Sequence, residues 1–292
     1  MKLSLLFFNM IFIKKYEDVP INNLFINQKM EKIGYINQKG HLYYLNNEEK
    51  EAKYGTLDVK KSNMFHYHEN GAKWAITTPL RSFISSDGYS LKKPNSSLLY
   101  NDFNDSFFQI YRNGDILQDG KEMNVQVNKR ELWTSASIHN EHYILYTNEQ
   151  NEFHIHHLRA DYKMFNSEYN NKHVAQKINV SKNGIFINVY ILYANHGVRV
   201  LRFFGGFNNF LEEFFITVPV CKDFSSSYPY LCVLREDGEL NIWNMQHNRG
   251  HEMIYSKIFP DLKDDVEQMI QWNKVIYMNK KSELFQFLLL PM

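Results

Sequence analysis

Little in this sequence announces a chemistry. Only two cysteines occur in 292 residues, Cys221 and Cys232. That is too few for a disulfide framework or a four-thiolate zinc site. Neither sign of charge is in excess: 33 Lys and Arg stand against 32 Asp and Glu, a formal net charge of +1. A balance so close to zero removes the usual electrostatic footprint of nucleic-acid binding. No Pro/Gly/Ser-rich linker divides the chain, which reads as one domain over residues 1–292.

Long apolar runs are scarce as well. The one candidate, residues 3–13, follows Lys2, is broken by Ser4 and Asn9, and is far too short to span a bilayer. Its charged-then-apolar order resembles a secretion signal, which would make the protein a secreted binding module. No small-residue cleavage site precedes Lys14 and Lys15, however, and Phe7, Phe8, Ile11, Phe12 and Ile13 favour a β-strand. On the strand reading the protein is cytoplasmic or nuclear. Asn95, Asn104 and Asn179 sit in glycosylation sequons; in so Asn-rich a chain such matches arise by chance.

What is present is apolar and aromatic material, 44% hydrophobic with 22 Phe and 19 Tyr, enough for a large core. It is organised as a repeat. Residues 230–243 run from a buried-type strand, Tyr230 to Leu234, through Asp237-Gly238 into an alternating strand ending at Trp243. Asp-Gly supplies the positive φ angles of a tight hairpin. The same layout recurs around Gly40, Gly88, Gly114, Asn151, Gly197 and Ser282. The gaps between these turns are 48, 26, 37, 46, 41 and 44 residues.

A hairpin signal every 40 residues or so is the signature of a β-propeller. The expected fold is all-β: a single propeller of about seven four-stranded blades, where the short gap of 26 residues means either that the second or third copy is misassigned or that the blades number six. The apolar strand near the start and the run Leu284 to Leu290 near the end predict ring closure by pairing of the terminal strands, which hides two sheet edges. The polar stretches 46–61, 94–105, 159–182 and 247–265 read as loops, the third long enough for a short helix.

Residues 231–245 resemble the end of a WD40 repeat, where an Asp-Gly turn leads to a Trp, here Trp243. They are also similar to repeats of the chromosome-condensation-regulator type. Ile138 to Tyr146, with His142 at that family's histidine position, and Val266 to Val275 resemble its entry into the inner strand. Both resemblances imply a propeller that binds other proteins. The second also implies, for some members, nucleotide exchange on a small GTPase.

Candidate chemistry is sparse. His154 and His156 share a strand face, as do His66 and His68, but neither pair has further ligands at zinc-like spacing, so no metal is expected. No serine, cysteine or lysine stands in a context that fixes a nucleophile, and no cofactor motif occurs. The four tryptophans, Trp74, Trp133, Trp243 and Trp272, read as blade packing. One segment stands out. Residues 202–215 hold six phenylalanines split by Gly205-Gly206 and Asn208-Asn209. These turn formers place Phe207 and Phe210 near a loop tip, where either ring serves as a partner-binding anchor or tucks back onto the blade. The function these features support is a non-enzymatic scaffold for other proteins, with an exchange factor as the alternative.

Overall fold

The computed structural model describes residues 8–16, 21–27, 32–39, 42–46, 49–54, 66–70, 73–77, 81–86, 89–94, 96–101, 106–111, 115–118, 121–126, 132–139, 141–148, 150–158, 162–167, 173–193, 196–246, 251–263, 266–280 and 283–291. Apart from a single 3-10 turn at Pro260–Leu262, the regular elements among them are β-strands. The described strands form seven four-stranded antiparallel sheets, together a β-propeller. Six sheets are consecutive meanders, at residues 21–54, 66–94, 96–126, 132–167, 175–217 and 221–258. The seventh takes Val266–Trp272, Val275–Lys280 and Glu283–Pro291 from the end of the chain and Phe8–Tyr16 from its start. Within it Phe8 lies opposite Pro291 and Tyr16 opposite Leu284. The terminal strands therefore pair as the apolar patterns at both ends predict; Leu5 to Phe7 lie outside the described residues. The innermost strand is the first of its sheet in the first, second, fourth, fifth and sixth sheets, and Val266–Trp272 in the seventh. From the fourth sheet through the seventh and on to the first, these inner strands touch in succession.

The packing explains the sequence pattern. The second strand of the fifth sheet, Phe186–Tyr193, is buried almost end to end. Its alternate residues Ile187, Val189, Ile191 and Tyr193 pack toward the fourth sheet, while Tyr190 and Leu192 pack toward the sixth. In the sixth sheet Cys232 and Leu234 join the layer shared with the seventh, and Leu231 and Val233 the layer shared with the fifth. A strand sandwiched between two neighbours loses its polar face, so it reads as a continuous apolar run. The outermost strands have the opposite problem. Glu252–Ile258 is mostly exposed, and its polar composition disguises it as a loop. Three of the stretches expected to be loops accordingly contain outermost strands, Glu49–Tyr54, Tyr162–Ser167 and Glu252–Ile258, and the fourth, 94–105, contains Ser96–Asn101, the first strand of the third sheet. The described part of 159–182 holds strand and no helix.

The hairpins joining second to third strands carry the repeat signal. Asn151 (φ 64°) and Gly238 (φ 83°) adopt the positive φ that such turns require. Gly197 (φ 137°) is under a further constraint. A β-carbon there would lie 2.1 Å from the Ile216 carbonyl oxygen, which belongs to the adjacent strand and cannot move aside. Gly40, Gly88, Gly114 and Ser282 lie outside the described residues, but the strands around them fix their places. Gly88 falls between the third and fourth strands of the second sheet, not the second and third. The second and third strands of that sheet, Lys73–Thr77 and Arg81–Ser86, pair with Thr77 opposite Ser82, so the chain passes between them nearly midway between positions 40 and 114. This displaced turn is the physical source of the uneven 48- and 26-residue gaps.

Candidate functional site

The fifth sheet has long strands throughout: Ala175–Asn183, Phe186–Tyr193, Gly197–Phe204 and Phe210–Thr217. Its far end is a tip made of the turn at 184–185 and the loop at 205–209. Backbone hydrogen bonds lace the two together. Gly205 N–H donates to the Ile185 carbonyl at 2.6 Å, and Phe204 N–H donates to the Asn209 carbonyl at 3.0 Å. Four apolar side chains stand in solvent there: Ile185 (49% exposed), Phe204 (42%), Phe210 (43%) and Leu211 (44%).

The structure separates the two phenylalanines singled out from the sequence. Phe207 is only 1% exposed. Its ring meets Tyr143 of the fourth sheet edge-on at 4.8 Å and Phe203 at 5.2 Å. Of the two readings left open for Phe207, the ring takes the tucked one: the loop folds it back into the layer between the fourth and fifth sheets, where its large apolar area leaves water, so Phe207 is not available as a surface anchor. Phe210 rests one side on Phe165 and Phe203, at 5.2 and 5.6 Å, and presents the other to solvent. Ile185, Phe204 and Leu211 complete the exposed cluster and were missed in the sequence. Phe204 directly follows the buried Phe203, and only strand alternation at the sheet's end shows which of the two rings faces out.

Buried cations brace the sheet, Arg202 near the tip and Arg199 further along the strand. Arg202 is 2% exposed. It donates from Nε to Asn188 Oδ1 at 3.0 Å and from Nη2 to the Met245 carbonyl of the sixth sheet at 2.9 Å, and pairs with Glu212. Arg199 donates from Nε to Glu213 at 2.8 Å and from Nη2 to Ser167 of the fourth sheet. Each guanidinium is neutralised by a carboxylate on the outermost strand, as a buried charge requires. Arg202 near the tip ties it to the sixth sheet and Phe207 packs the tip loop on the fourth, so the apolar side chains stand on a fixed support.

At the opposite face the inner strands open a pocket of about 140 Å³ lined by Gln176, Lys177, Lys222, Asp223 and Glu267. Lys177 Nζ donates to Asp223 Oδ1, the Phe224 carbonyl and the Met269 carbonyl, at 2.7, 2.7 and 3.2 Å. Asp223 Oδ2 accepts Met269 N–H at 2.7 Å. All three ammonium protons are thereby used, and the pair clasps the inner strand of the seventh sheet. Gln268 does the same one step around the ring, accepting Leu24 N–H at 2.7 Å and donating to the Leu24 carbonyl at 3.1 Å. The chemistry here is ring closure, with polar side chains standing in for the ladder that separate sheets lack.

The remaining candidates have structural surroundings. His154 lies beside Glu152 (3.4 Å) and against Tyr146, and His157 meets Glu141 at 2.8 Å. The side chains of His66, His68, Trp74 and Trp272 lie outside the described residues; Trp133 and Trp243 are buried. Asn179 uses its amide on Ser226 Oγ at 3.0 Å. Cys221 and Cys232 are buried free thiols. Burial pushes the Cys221 thiol up to about 12, aided by the nearby Asp223 carboxylate, and burial likewise raises Cys232. A thiol held protonated and out of solvent is not a nucleophile. Neither should react with a water-soluble thiol reagent in the native protein, and both should react after unfolding; labelling followed by intact mass checks this.

No family model matches the chain, and no curated protein matches it. Solved structures do. A chain of a mitotic checkpoint complex superimposes with a TM-score of 0.69 at 11% identity, over 98% of this chain and 93% of that one. The β-propeller domain of Cps50 (Swd1) from Myceliophteria thermophila gives 0.68 at 7%, over 96% and 99%. BamB from Moraxella catarrhalis gives 0.61 at 12%, over 96% and 98%. At such identities the likeness shows the fold, and the fold is a β-propeller.

Proposed function

We propose that this chain is a non-catalytic propeller scaffold, each sheet serving as one blade, and that the tip of the fifth blade contacts a partner protein. The observation that carries this is the cluster of Ile185, Phe204, Phe210 and Leu211 exposed on a braced support. Rings held in water on a rigid support lose little entropy when covered, and each contributes roughly 2 kcal/mol on burial. Lys177 and Asp223 of the pocket, and Gln268 beside it, are used in fastening neighbouring sheets, which favours contact over catalysis there. The two free thiols fit a reducing compartment, cytoplasm or nucleus.

The test is a paired capture experiment. Wild-type protein and a Phe204→Ser/Phe210→Ser double variant are used as baits in extract from the native source, with quantitative mass spectrometry. One or more proteins should be held by the wild type and lost from the variant, while both baits unfold within about 3 °C of each other. Identical captured sets would refute the tip as the contact.

A further inference from the structure

The two exposed phenylalanines stand on opposite flanks of the fifth sheet. Phe204 packs edge-on against Phe186, its cross-strand neighbour, at 5.6 Å. Phe210 lies on the side of the fourth sheet, against Phe165. The crest between them is Gly205-Gly206, and a β-carbon built on either glycine would meet no atom of the described residues within 4 Å. Bare backbone therefore separates two apolar flanks, and the space above it is open. No ionisable side chain belongs to residues 204–211.

Resting on the contact proposed above, we infer that the tip takes a short, uncharged, extended segment of its partner, draped across the glycine crest with an apolar side chain on each flank. Two features select this occupant. The four exposed side chains offer roughly 300 Å², well below the ~800 Å² per partner of a stable interface between folded surfaces. That shortfall also disfavours a second copy of this chain. The shape points the same way, since a flat rigid surface cannot touch both flanks of a ridge at once, whereas a flexible segment bends over it. A side chain on the crest would hold such a segment off. Gly206 is the position to fill, because Gly205 has a φ of 70° and resists substitution on its own account.

The experiment selects peptides from a phage-displayed library of random dodecapeptides on the intact protein and measures one synthetic winner by fluorescence anisotropy. The expected winner carries separated apolar residues and few charges. Its affinity should fall at least about tenfold on Gly206→Gln and on Phe204→Ser, with unfolding temperatures unchanged and the protein monomeric by light scattering. Failure to enrich any peptide, or equal affinity for Gly206→Gln, would overturn the inference. So would a dimer that dissociates on Phe210→Ser, which would assign the tip to a second copy. If the captured partner is lost on the Phe204→Ser/Phe210→Ser variant yet retained by Gly206→Gln, the tip remains the contact and the draped segment alone fails.

Discussion

Deletion of residues 1–16 is expected to lower the unfolding temperature by about 8 °C, or to leave the protein unable to fold. The strand Phe8–Tyr16 pairs with Glu283–Pro291 at eight positions. At roughly 0.5 kcal/mol per cross-strand pair the loss is about 4 kcal/mol, a large share of a stability of ~5–15 kcal/mol. For a chain of this size about 2 °C accompanies each kcal/mol. The removal also bares the edge of a strand that contains Leu284, Phe285, Phe287 and Leu289, all buried in the native ring. Such an edge templates aggregation, so the deleted protein should elute partly as soluble aggregate. Thermal unfolding by circular dichroism with size-exclusion chromatography reads both effects. An unchanged midpoint would mean that the pairing contributes nothing.

Phe207→Ala is the second large effect, expected at about 3–5 kcal/mol of destabilisation. Phe207 sits in the layer where Tyr143, Phe203, Ile155 and Leu201 meet, so its removal leaves a cavity bridging the fourth and fifth sheets. Chemical denaturation should show a lower midpoint with an unchanged slope, the pattern of lost stability without a changed native state. Partner capture should survive at temperatures where the variant is folded. A variant with full stability and no capture would place Phe207 at the interface instead.

The two phenylalanines show how the sequence and the tertiary structure divide the information. Six phenylalanines interrupted by one glycine pair and one asparagine pair identify a turn, and a turn is there. Which ring faces water depends on what lies across the inter-sheet gap. Tyr143 and Phe203 offer Phe207 a socket, and those contacts come from residues four and sixty-four positions away. No local pattern encodes the second.

The hairpin repeat was legible because Asp-Gly and His-Gly turns obey backbone sterics that hold in any fold: Gly197 and Gly238 adopt positive φ wherever they occur. The central strands were legible because burial on both faces leaves an apolar run. The terminal pairing was legible because two apolar strands at opposite ends need a common partner. The outermost strands were not. Strand Glu252–Ile258 is held by its ladder to residues 239–244, not by its own hydrophobicity, and a ladder partner is invisible until the sheet is assembled. The braces followed the same rule. Arg202, Lys177 and Gln268 look like ordinary polar residues in sequence, and they acquire their roles from carbonyls supplied by other sheets. The sequence by itself determined the period, the turns and the strands of the core, because those depend on neighbours along the chain. Only the tertiary structure decided which aromatic rings face solvent, which cations are buried and how the ring is fastened, because each of those depends on groups that folding brings from far away.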